Sequence, residues 1–298
     1  MQKQKKTNHI IFKTKWGFYQ YRPLPTNKEL KVYYETKYYQ EGRGSYEIEY
    51  SDDELKWIKQ RNFMLYQKAI QLLQNGTKTF LDIGCGEGWL MAEFHSNGHQ
   101  ITGIDFSDAG VKKYHSNLLK FFKKADIYTS VNKIIKAKKS FDIISLCNVI
   151  EHIKYPIKLL KMIKSIMHSK SLLIIVAPND FSLLHQYLLD SDIISDQWWL
   201  GYPDHLSYFN KESMCDLLVD LGYEVKNIVA DNPIDLNLLN DNSNYVKDRS
   251  KGKKTHLFRV RMDNFLGKID RDKLALIYEI LGSMGVGRNL SYYSTLKT

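Results

Sequence analysis

The sequence predicts a doubly wound α/β fold, with helices packed on both faces of a mainly parallel sheet. From residue 79 onward, short apolar runs alternate with segments of helical periodicity, as they do in βαβ units. The first of these runs, Thr79–Ile83, leads into a glycine-rich turn. Hydrophobic residues make up 43% of the 298 residues, yet no apolar run reaches the roughly 18 residues of a membrane span. We therefore expect a sizeable core and no membrane-spanning helix.

An N-terminal extension is expected over residues 1–50, before a main domain over residues 51–298. Residues 9–21 alternate well enough between apolar and polar side chains to predict a short hairpin. Thr26 and Glu29 have the spacing of a capping box, which predicts a short helix after the hairpin.

The main domain is predicted to open with a longer helix and to continue as alternating strands and helices. Ser51 and Glu54 form a second capping box, which begins the longer helix. The predicted strands are Thr79–Ile83, Gln100–Ile104, Phe141–Leu146, Leu172–Val176, Glu224–Val229 and His256–Arg261. The predicted helices between and after them are Leu90–Ser96, Asp108–Leu118, Pro156–Met167, Lys211–Leu221 and a C-terminal helix, Asp270–Leu281. The polar stretch at about 231–254 is too long for a simple connection, so we expect a substrate insertion there.

Two acidic residues and a set of glycines follow the first two strands of the predicted sheet. The segment from Asp82 to Gly88 places a G-x-G-x-G pattern between a strand and a helix. Glycines in such a turn let a ligand approach the backbone, at the carboxyl ends of the strands. Asp105 ends the next strand, 23 positions after Asp82, where a carboxylate can accept hydrogen bonds from a ribose diol. An alternative is that Asp105 only caps the following helix.

A dinucleotide-binding fold is the main alternative for this motif. That fold requires G-x-G-x-x-G, with a small third residue where the helix packs on the strand. Trp89 stands near this place, and an indole is hard to reconcile with a pyrophosphate at the helix start. A glycine turn without any ligand is a further alternative, which the pairing with Asp105 disfavours.

These residues resemble the motifs of class I S-adenosylmethionine-dependent methyltransferases, over about Phe80 to Val229. The resemblance implies a Rossmann-like sheet of seven strands with an antiparallel last strand. It also implies S-adenosyl-L-methionine as cofactor and S-adenosyl-L-homocysteine as product. The cofactor-binding residues that it implies are Asp82, Gly84, Cys85, Gly86, Gly88, Asp105, Phe106, Asp126 and Asn148. In such enzymes the glycine loop surrounds the amino-acid end of the cofactor, and the residues equivalent to Asp105, Phe106 and Asp126 meet the ribose and the adenine.

Two further segments resemble parts of related enzymes. Asn148–His152 is similar to the V-L-E-H segment of the ubiquinone-biosynthesis-type methyltransferases, and His152 either holds this loop or takes part in catalysis. Asp204–Phe209 is similar to the D-H-x-x-x-F segment of methyltransferases that act on sugars and other small molecules. His205 is our candidate general base, because an imidazole with a pKa of about 6.5 is suited to neutral pH. The alternative is that His205 only binds the loop backbone.

Several residues outside the cofactor motifs are candidates for acceptor binding or for a lid. They are Tyr38, Tyr39, Asn179, Tyr208, Lys251 and Arg259. Tyr38 and Tyr39 stand in the N-terminal extension, and the two basic residues stand in a Lys- and Arg-rich stretch that suits an anionic group. The alternatives are simple aromatic packing for the tyrosines and a solvated loop for the basic residues.

We therefore expect an O-methyltransferase that acts on a small phosphorylated or nucleotide-linked sugar, or a similar surface-polysaccharide precursor. The alternatives are an RNA methyltransferase and a non-catalytic cofactor-binding protein of the same fold. The net charge of +10 suits an anionic small molecule, and the scattered lysines make nucleic acid a less expected partner. No metal-ligand spacing is present, so no metal is predicted. Three widely spaced cysteines indicate a reduced, cytoplasmic protein. No oligomeric state is predicted.

Overall fold

A computed structural model describes residues 10–26, 28–30, 49–73 and 76–297. Tyr38 and Tyr39, the two predicted lid residues, lie outside these ranges. The predicted capping box before them is present, since Glu29 accepts from the Thr26 N–H at 2.7 Å and Thr26 Oγ1 accepts from the Glu29 N–H at 3.2 Å. Within the described ranges, none of the helices combines the length and the apolar character needed to cross a bilayer.

The predicted N-terminal hairpin is confirmed. It consists of β1 (Ile10–Lys13) and β2 (Tyr19–Arg22), which pair in an antiparallel ladder. β2 also pairs with a short strand much later in the chain, Ser207–Tyr208, and so completes a small sheet of three strands. The hairpin therefore packs next to the Asp204–Phe209 segment.

The main sheet has seven strands in the order β5-β4-β3-β6-β7-β10-β9. Its strands are β3 (Thr79–Ile83), β4 (Gln100–Asp105), β5 (Phe122–Lys124), β6 (Phe141–Cys147), β7 (Met167–Pro178), β9 (Tyr223–Ala230) and β10 (Asn289–Leu296), and β8 is the Ser207–Tyr208 strand of the small sheet. The strands from β5 to β7 pair in parallel, whereas β10 pairs antiparallel to both β7 and β9. The doubly wound sheet with an antiparallel last strand is thus confirmed.

Helices cover both faces of this sheet. They are α1 (Asp52–Leu73), α2 (Trp89–Ser96), α3 (Ala109–Tyr114), α4 (Ile127–Lys136), α5 (Pro156–Lys164), α6 (Leu183–Asp190), α7 (Lys211–Asp220), α8 (Gly252–Ile269) and α9 (Arg271–Ser283). The second predicted capping box begins α1, because Glu54 Oε2 accepts from the Ser51 N–H at 2.8 Å. The helix α6 was not predicted from the sequence.

Adjacent residues of the central strands contribute to two different cores. Phe80 and Ile143 belong to a cluster on one face of the sheet, and Leu81 and Ile144 belong to a cluster on the other. All four side chains are fully buried. A strand covered on both faces has no reason to alternate between apolar and polar residues. This is why the predicted strands of the sheet are continuous apolar runs, and burial of each such side chain contributes roughly 1.5–3 kcal/mol.

The predicted strand His256–Arg261 is wrong, because these residues lie inside α8. The sequence H-L-F-R-V-R alternates like a strand over six residues. The burial is helical instead: Thr255, Val260 and Asp263 are buried, whereas Phe258 is 55% exposed. The antiparallel last strand is β10, whose residues include both apolar and hydroxyl side chains and were not recognised.

The turn after β3 brings its backbone close to the segment after β6. Gly84 has a φ of +74°, and a Cβ placed on it would lie 2.4 Å from Val149 Cγ2. The N–H groups of Gly84 and Cys85 both donate to the Ile104 carbonyl of β4, at 2.7 and 3.2 Å. The glycine is therefore required both by the left-handed backbone and by the contact with Val149.

Gly84→Ala is expected to lower the free energy of unfolding by more than Gly98→Ala does. Gly98 has a φ of +81° but no atom within 4 Å of the added Cβ, so its substitution measures the backbone strain alone, roughly 1–2 kcal/mol. The clash with Val149 should add about 1–3 kcal/mol at Gly84. Urea unfolding of both variants measures the difference. Equal losses would show that the loop moves away from Val149 at little cost.

Candidate active site

A cavity of about 1360 Å³ opens at the carboxyl ends of β3, β4 and β6, and is closed on its other side by α1 and α8. Ligand cavities commonly measure roughly 300–1,000 Å³, so this one has room for a cofactor and a small acceptor together. The predicted site residues in its wall are Asp82, Gly84, Cys85, Gly86, Asp105, Phe106, Asp126, Asn148, His152, His205 and Arg259. Gly88 lies just behind the wall, with a φ of +81°, as the residue before α2.

Asp105 is bonded to the glycine loop through one oxygen and to its own turn through the other. The Gly86 N–H donates to Oδ2 at 2.9 Å, and the Ser107 N–H donates to Oδ1 at 3.0 Å. Burial raises the pKa of this carboxyl, and the two N–H groups partly offset the rise. Each carboxylate oxygen has a second lone pair, so Asp105 can also accept from a diol in the cavity.

Asp82 supports the loop from below. Its carboxyl is buried and accepts a 2.6 Å hydrogen bond from the Ser145 hydroxyl of β6. Burial, with a smaller contribution from Asp105, raises the pKa of Asp82 to about 7. The side chain therefore ties β3 to β6 beneath the cavity floor.

Three more of the predicted cofactor residues lie on the same side of the cavity. The ring of Phe106 is 50% exposed, and it forms part of the wall beside Asp105. Asp126 caps α4, with Oδ1 accepting from the Thr129 N–H at 2.8 Å, and this bond leaves Oδ2 to accept from another donor. Asn148 has a φ of +53°, and its N–H donates to the Val176 carbonyl. The geometry brings these residues together, and their contacts with a cofactor stay predictions.

His152 lies between two carboxylates. Its Nε2 is 3.7 Å from Glu151 Oε1, and its Nδ1 is 3.2 Å from Asp204 Oδ1 and 2.8 Å from the Asp204 carbonyl. Burial alone would lower the pKa of His152, but the two carboxylates overcome it and raise the pKa to about 9. His152 is therefore an imidazolium at neutral pH, held firmly by its neighbours.

His205 has the opposite protonation state. Its ring centre is 4.8 Å from that of His152, with the two planes nearly perpendicular. Burial, and then the positive charge of His152, lower the pKa of His205 to about 3. Its Nδ1 is buried and makes no hydrogen bond to any described residue. A neutral imidazole at the cavity wall can accept a hydrogen bond from a ligand hydroxyl.

Glu151, His152 and His205 each offer one ligand atom within 4.8 Å of the others, a spacing that could hold a metal ion. A metal ion at this place would have to displace the proton of His152, which the neighbouring Glu151 and Asp204 stabilise, because a metal ligand must be a neutral imidazole. We therefore describe the three as an ionic network, and the absence of a metal requirement stays a prediction.

Three of the predicted acceptor residues do not line the cavity. The Asn179 amide donates to the Gly285 carbonyl at 2.8 Å, and Lys251 Nζ donates to the Asp241 carbonyl at 2.6 Å. Tyr208 is 1% exposed, and its hydroxyl donates to the His205 carbonyl at 3.0 Å. Asn179 and Tyr208 hold loops, and Lys251 binds within its own loop, so a role of these residues at the acceptor stays a prediction.

Four of the cavity residues that sequence reasoning did not assign have side chains suited to binding a polar ligand or to supporting one. They are Trp57, Arg61, Glu151 and Arg288. Glu151 stands inside a motif that was recognised, so its acidic side chain gave a signal. Arg288 follows a glycine-rich turn before β10 and has a buried partner, Asp180, at 2.8 Å. Trp57 and Arg61 gave no signal, since both read as ordinary residues of an amphipathic helix.

Comparison with known proteins shows the family to which this chain belongs. A family model described as a methyltransferase domain matches residues 54–228, more than half of the chain. The chain belongs to this family. Two similar curated proteins are both named ubiquinone biosynthesis O-methyltransferase. The one from Nitrosospira multiformis is 30% identical over 82 residues, which is 27% of this chain and 34% of that protein. The one from Parvibaculum lavamentivorans is 25% identical over 191 residues, which is 60% of this chain and 73% of that protein.

The chain spans about a third of the length of the first curated relatives that it matches. Among solved structures, a similar one is the 1,6-didemethyltoxoflavin-N1-methyltransferase of Burkholderia thailandensis, with bound 1,6-didemethyltoxoflavin and S-adenosylhomocysteine. Its TM-score is 0.51 and its identity 12%, and the match covers 98% of this methyltransferase-family chain and 96% of that one. At this identity the similarity shows the fold alone.

Acidification is expected to destabilise the wild-type protein more than a His205→Gln variant. The folded-state pKa of His205, about 3, lies below the ordinary value of 6.5, so the unfolded chain takes up the proton first as the pH falls. Between pH 7 and pH 5 this histidine should cost the wild type about 2 kcal/mol of unfolding free energy. Urea unfolding of both proteins at the two pH values gives the difference. A difference that does not change between the two pH values would mean that the pKa of His205 is the same in the folded and the unfolded chain.

Proposed function

We propose that this chain is an S-adenosylmethionine-dependent methyltransferase that O-methylates a small molecule. The observation that carries the proposal is one cavity that joins the glycine loop and Asp105 to the neutral ring of His205. Membership of the methyltransferase-domain family and the O-methyltransferase names of the curated relatives support it.

The residues on the β3 and β4 side fit the cofactor. Gly84, Cys85 and Gly86 line the cavity where the amino-acid end would lie. Asp105 has lone pairs for the ribose diol, and Phe106 offers a flat apolar surface to the adenine. When bound, the cofactor supplies a methyl group already activated by the positive sulfur. The protein must therefore mainly align the acceptor oxygen with that methyl carbon and exclude water.

His205 orients the acceptor hydroxyl in this proposal. Its ring nitrogen would accept the hydroxyl hydrogen bond, and would hold the proton that the acceptor oxygen loses on methyl transfer. With a pKa of about 3 the ring is a weak base, so alignment contributes more than proton abstraction does. His152 has a positioning role, because its charge keeps His205 neutral and its bonds to Asp204 fix the loop that carries His205.

For the acceptor we favour a small molecule with an anionic group, such as a phosphorylated or nucleotide-linked sugar. The resemblance of Asp204–Phe209 to sugar-modifying enzymes supports the sugar. Three arginines in the cavity wall, Arg61, Arg259 and Arg288, support the negative charge. A tRNA acceptor, or binding of cofactor without any transfer, are the outcomes that would replace this proposal.

Asp105→Asn is expected to weaken S-adenosylhomocysteine binding by about 10- to 100-fold, since hydrogen bonds to a charged carboxylate are lost. Asp108→Asn is the matched control, because Asp108 is three positions away and bonds only surface lysines among the described residues. Calorimetry measures both affinities, and thermal melting checks that the variants fold. Unchanged affinity in Asp105→Asn would refute the ribose assignment.

Methyl transfer is expected to a member of a panel of nucleotide sugars and sugar phosphates, offered with radiolabelled S-adenosylmethionine. His205→Gln should lower kcat by about 10-fold or more, while S-adenosylhomocysteine affinity stays the same.

Turnover should persist after dialysis against EDTA. Loss of turnover with EDTA, restored by a divalent cation, would show that Glu151, His152 and His205 bind a metal. Labelling of tRNA in place of the panel, with steep salt dependence, would favour an RNA substrate.

A further inference from the structure

On the side of the cavity formed by α1 and α8, neighbouring side chains hold Arg259 in a fixed position. The guanidinium lies over the Trp57 ring, with 4.7 Å from Cζ to the ring centre, and Arg61 lies 4.6 Å from the same ring. Trp57 itself is buried, and its Nε1 donates to Asp263 at 2.7 Å. The aromatic ring is thus fixed before any ligand binds, and the guanidinium stacks on it.

A chain of hydrogen bonds orients the same guanidinium. Arg259 Nη2 donates to His256 Nδ1 at 2.7 Å, and this assigns the ring proton to Nε2, which donates to Glu54 Oε1 at 3.0 Å. Glu54 is in turn held by the Ser51 hydroxyl and N–H at the start of α1. Three side chains from two helices therefore set the position of Arg259.

The neighbouring arginines Arg61 and Arg288 each form an ion pair with a carboxylate, and Arg259 forms none with a described residue. Arg61 is paired with Asp231 at 3.2 Å, and Arg288 is paired with Asp180 at 2.8 Å. In the described part of the chain, Arg259 has no carboxylate within 4.0 Å, and its buried Nε has no hydrogen-bond partner. Burial lowers the pKa of Arg259, and the carboxylates of Asp231 and Asp263 offset part of this effect.

The nearest acids are already engaged. Asp231 accepts from Arg61 and from Asn289, and Asp263 accepts from Trp57, Asn232 and Tyr278. A buried guanidinium is stabilised by a partner that accepts its hydrogen bonds, and a planar carboxylate or a phosphate fits its fork.

We propose that Arg259 binds an anionic oxygen group, a carboxylate or a phosphate, of a ligand in the cavity. This inference rests on the proposed function, because it assumes that the cavity holds the cofactor and an acceptor. Two sources can supply the group: the carboxylate of the cofactor's amino-acid end, and an anionic group of the acceptor. Trp57 and His256 act as positioning residues for Arg259 in either case.

Calorimetry on the whole chain distinguishes these sources. The probes are S-adenosylhomocysteine, 5′-methylthioadenosine, which lacks the amino-acid end, and inorganic phosphate added to protein saturated with S-adenosylhomocysteine. The variant is Arg259→Gln, and Arg261→Gln is the matched control, because it removes the same charge from an exposed position of the same helix. Arg259→Lys tests whether the charge without the fork keeps part of the affinity, and thermal melting checks that each variant folds.

Arg259→Gln is expected to lose about 10-fold or more in affinity for one of the anionic probes, while Arg261→Gln loses none. Weaker binding of S-adenosylhomocysteine, with 5′-methylthioadenosine unaffected, identifies the cofactor's carboxylate. Weaker phosphate binding, with both nucleosides unaffected, identifies the acceptor's group. The inference is overturned if Arg259→Gln binds S-adenosylhomocysteine and phosphate as the wild type does. A wild type that binds no S-adenosylhomocysteine would instead overturn the proposed function.

Discussion

The close approach of the glycine loop to its two neighbours is the constraint on which the cavity depends. Gly84 lies against Val149 without room for a Cβ, and the N–H groups of Gly84, Cys85 and Gly86 are all taken by β4 or its last residue, Asp105. The turns after β3, β4 and β6 are therefore fixed relative to one another.

The part of the fold that the sequence predicts well is the part governed by local pattern. Both ends of the strand Thr79–Ile83 were predicted correctly. A strand buried on both faces is a continuous apolar run, and this one ends where the glycine loop begins. Once the strands are parallel and adjacent, the residues that follow them must meet at one edge. This is why Asp82 and Asp105 could be paired from their positions in the sequence, whereas Asn148 was predicted from the family resemblance.

The rest depends on contacts between distant segments, which no local pattern records. His256–Arg261 alternates like a strand, and only its packing against α1 shows that it is a helix with His256 and Arg259 facing the cavity. The protonation states of His152 and His205 also depend on contacts between distant segments. His152 meets Asp204 across 52 positions, and Glu151 and Asp204 together raise its pKa. Burial, and then the charge of His152, lower the pKa of His205. A histidine's usual pKa therefore gave no guide to which of the two rings can accept a proton.

The position of β10 has a consequence for how the chain assembles. β10 follows β9 in the sequence by more than fifty residues, yet it lies between β7 and β9 in the sheet. β9 thus has no neighbour in the sheet until β10 arrives, and β10 brings Arg288 and Asn289 to the cavity wall as it docks. Pairings between such distant segments are slow to form, because loop closure must precede them. The sheet and the cavity would therefore be completed in the same step, when β10 docks between β7 and β9.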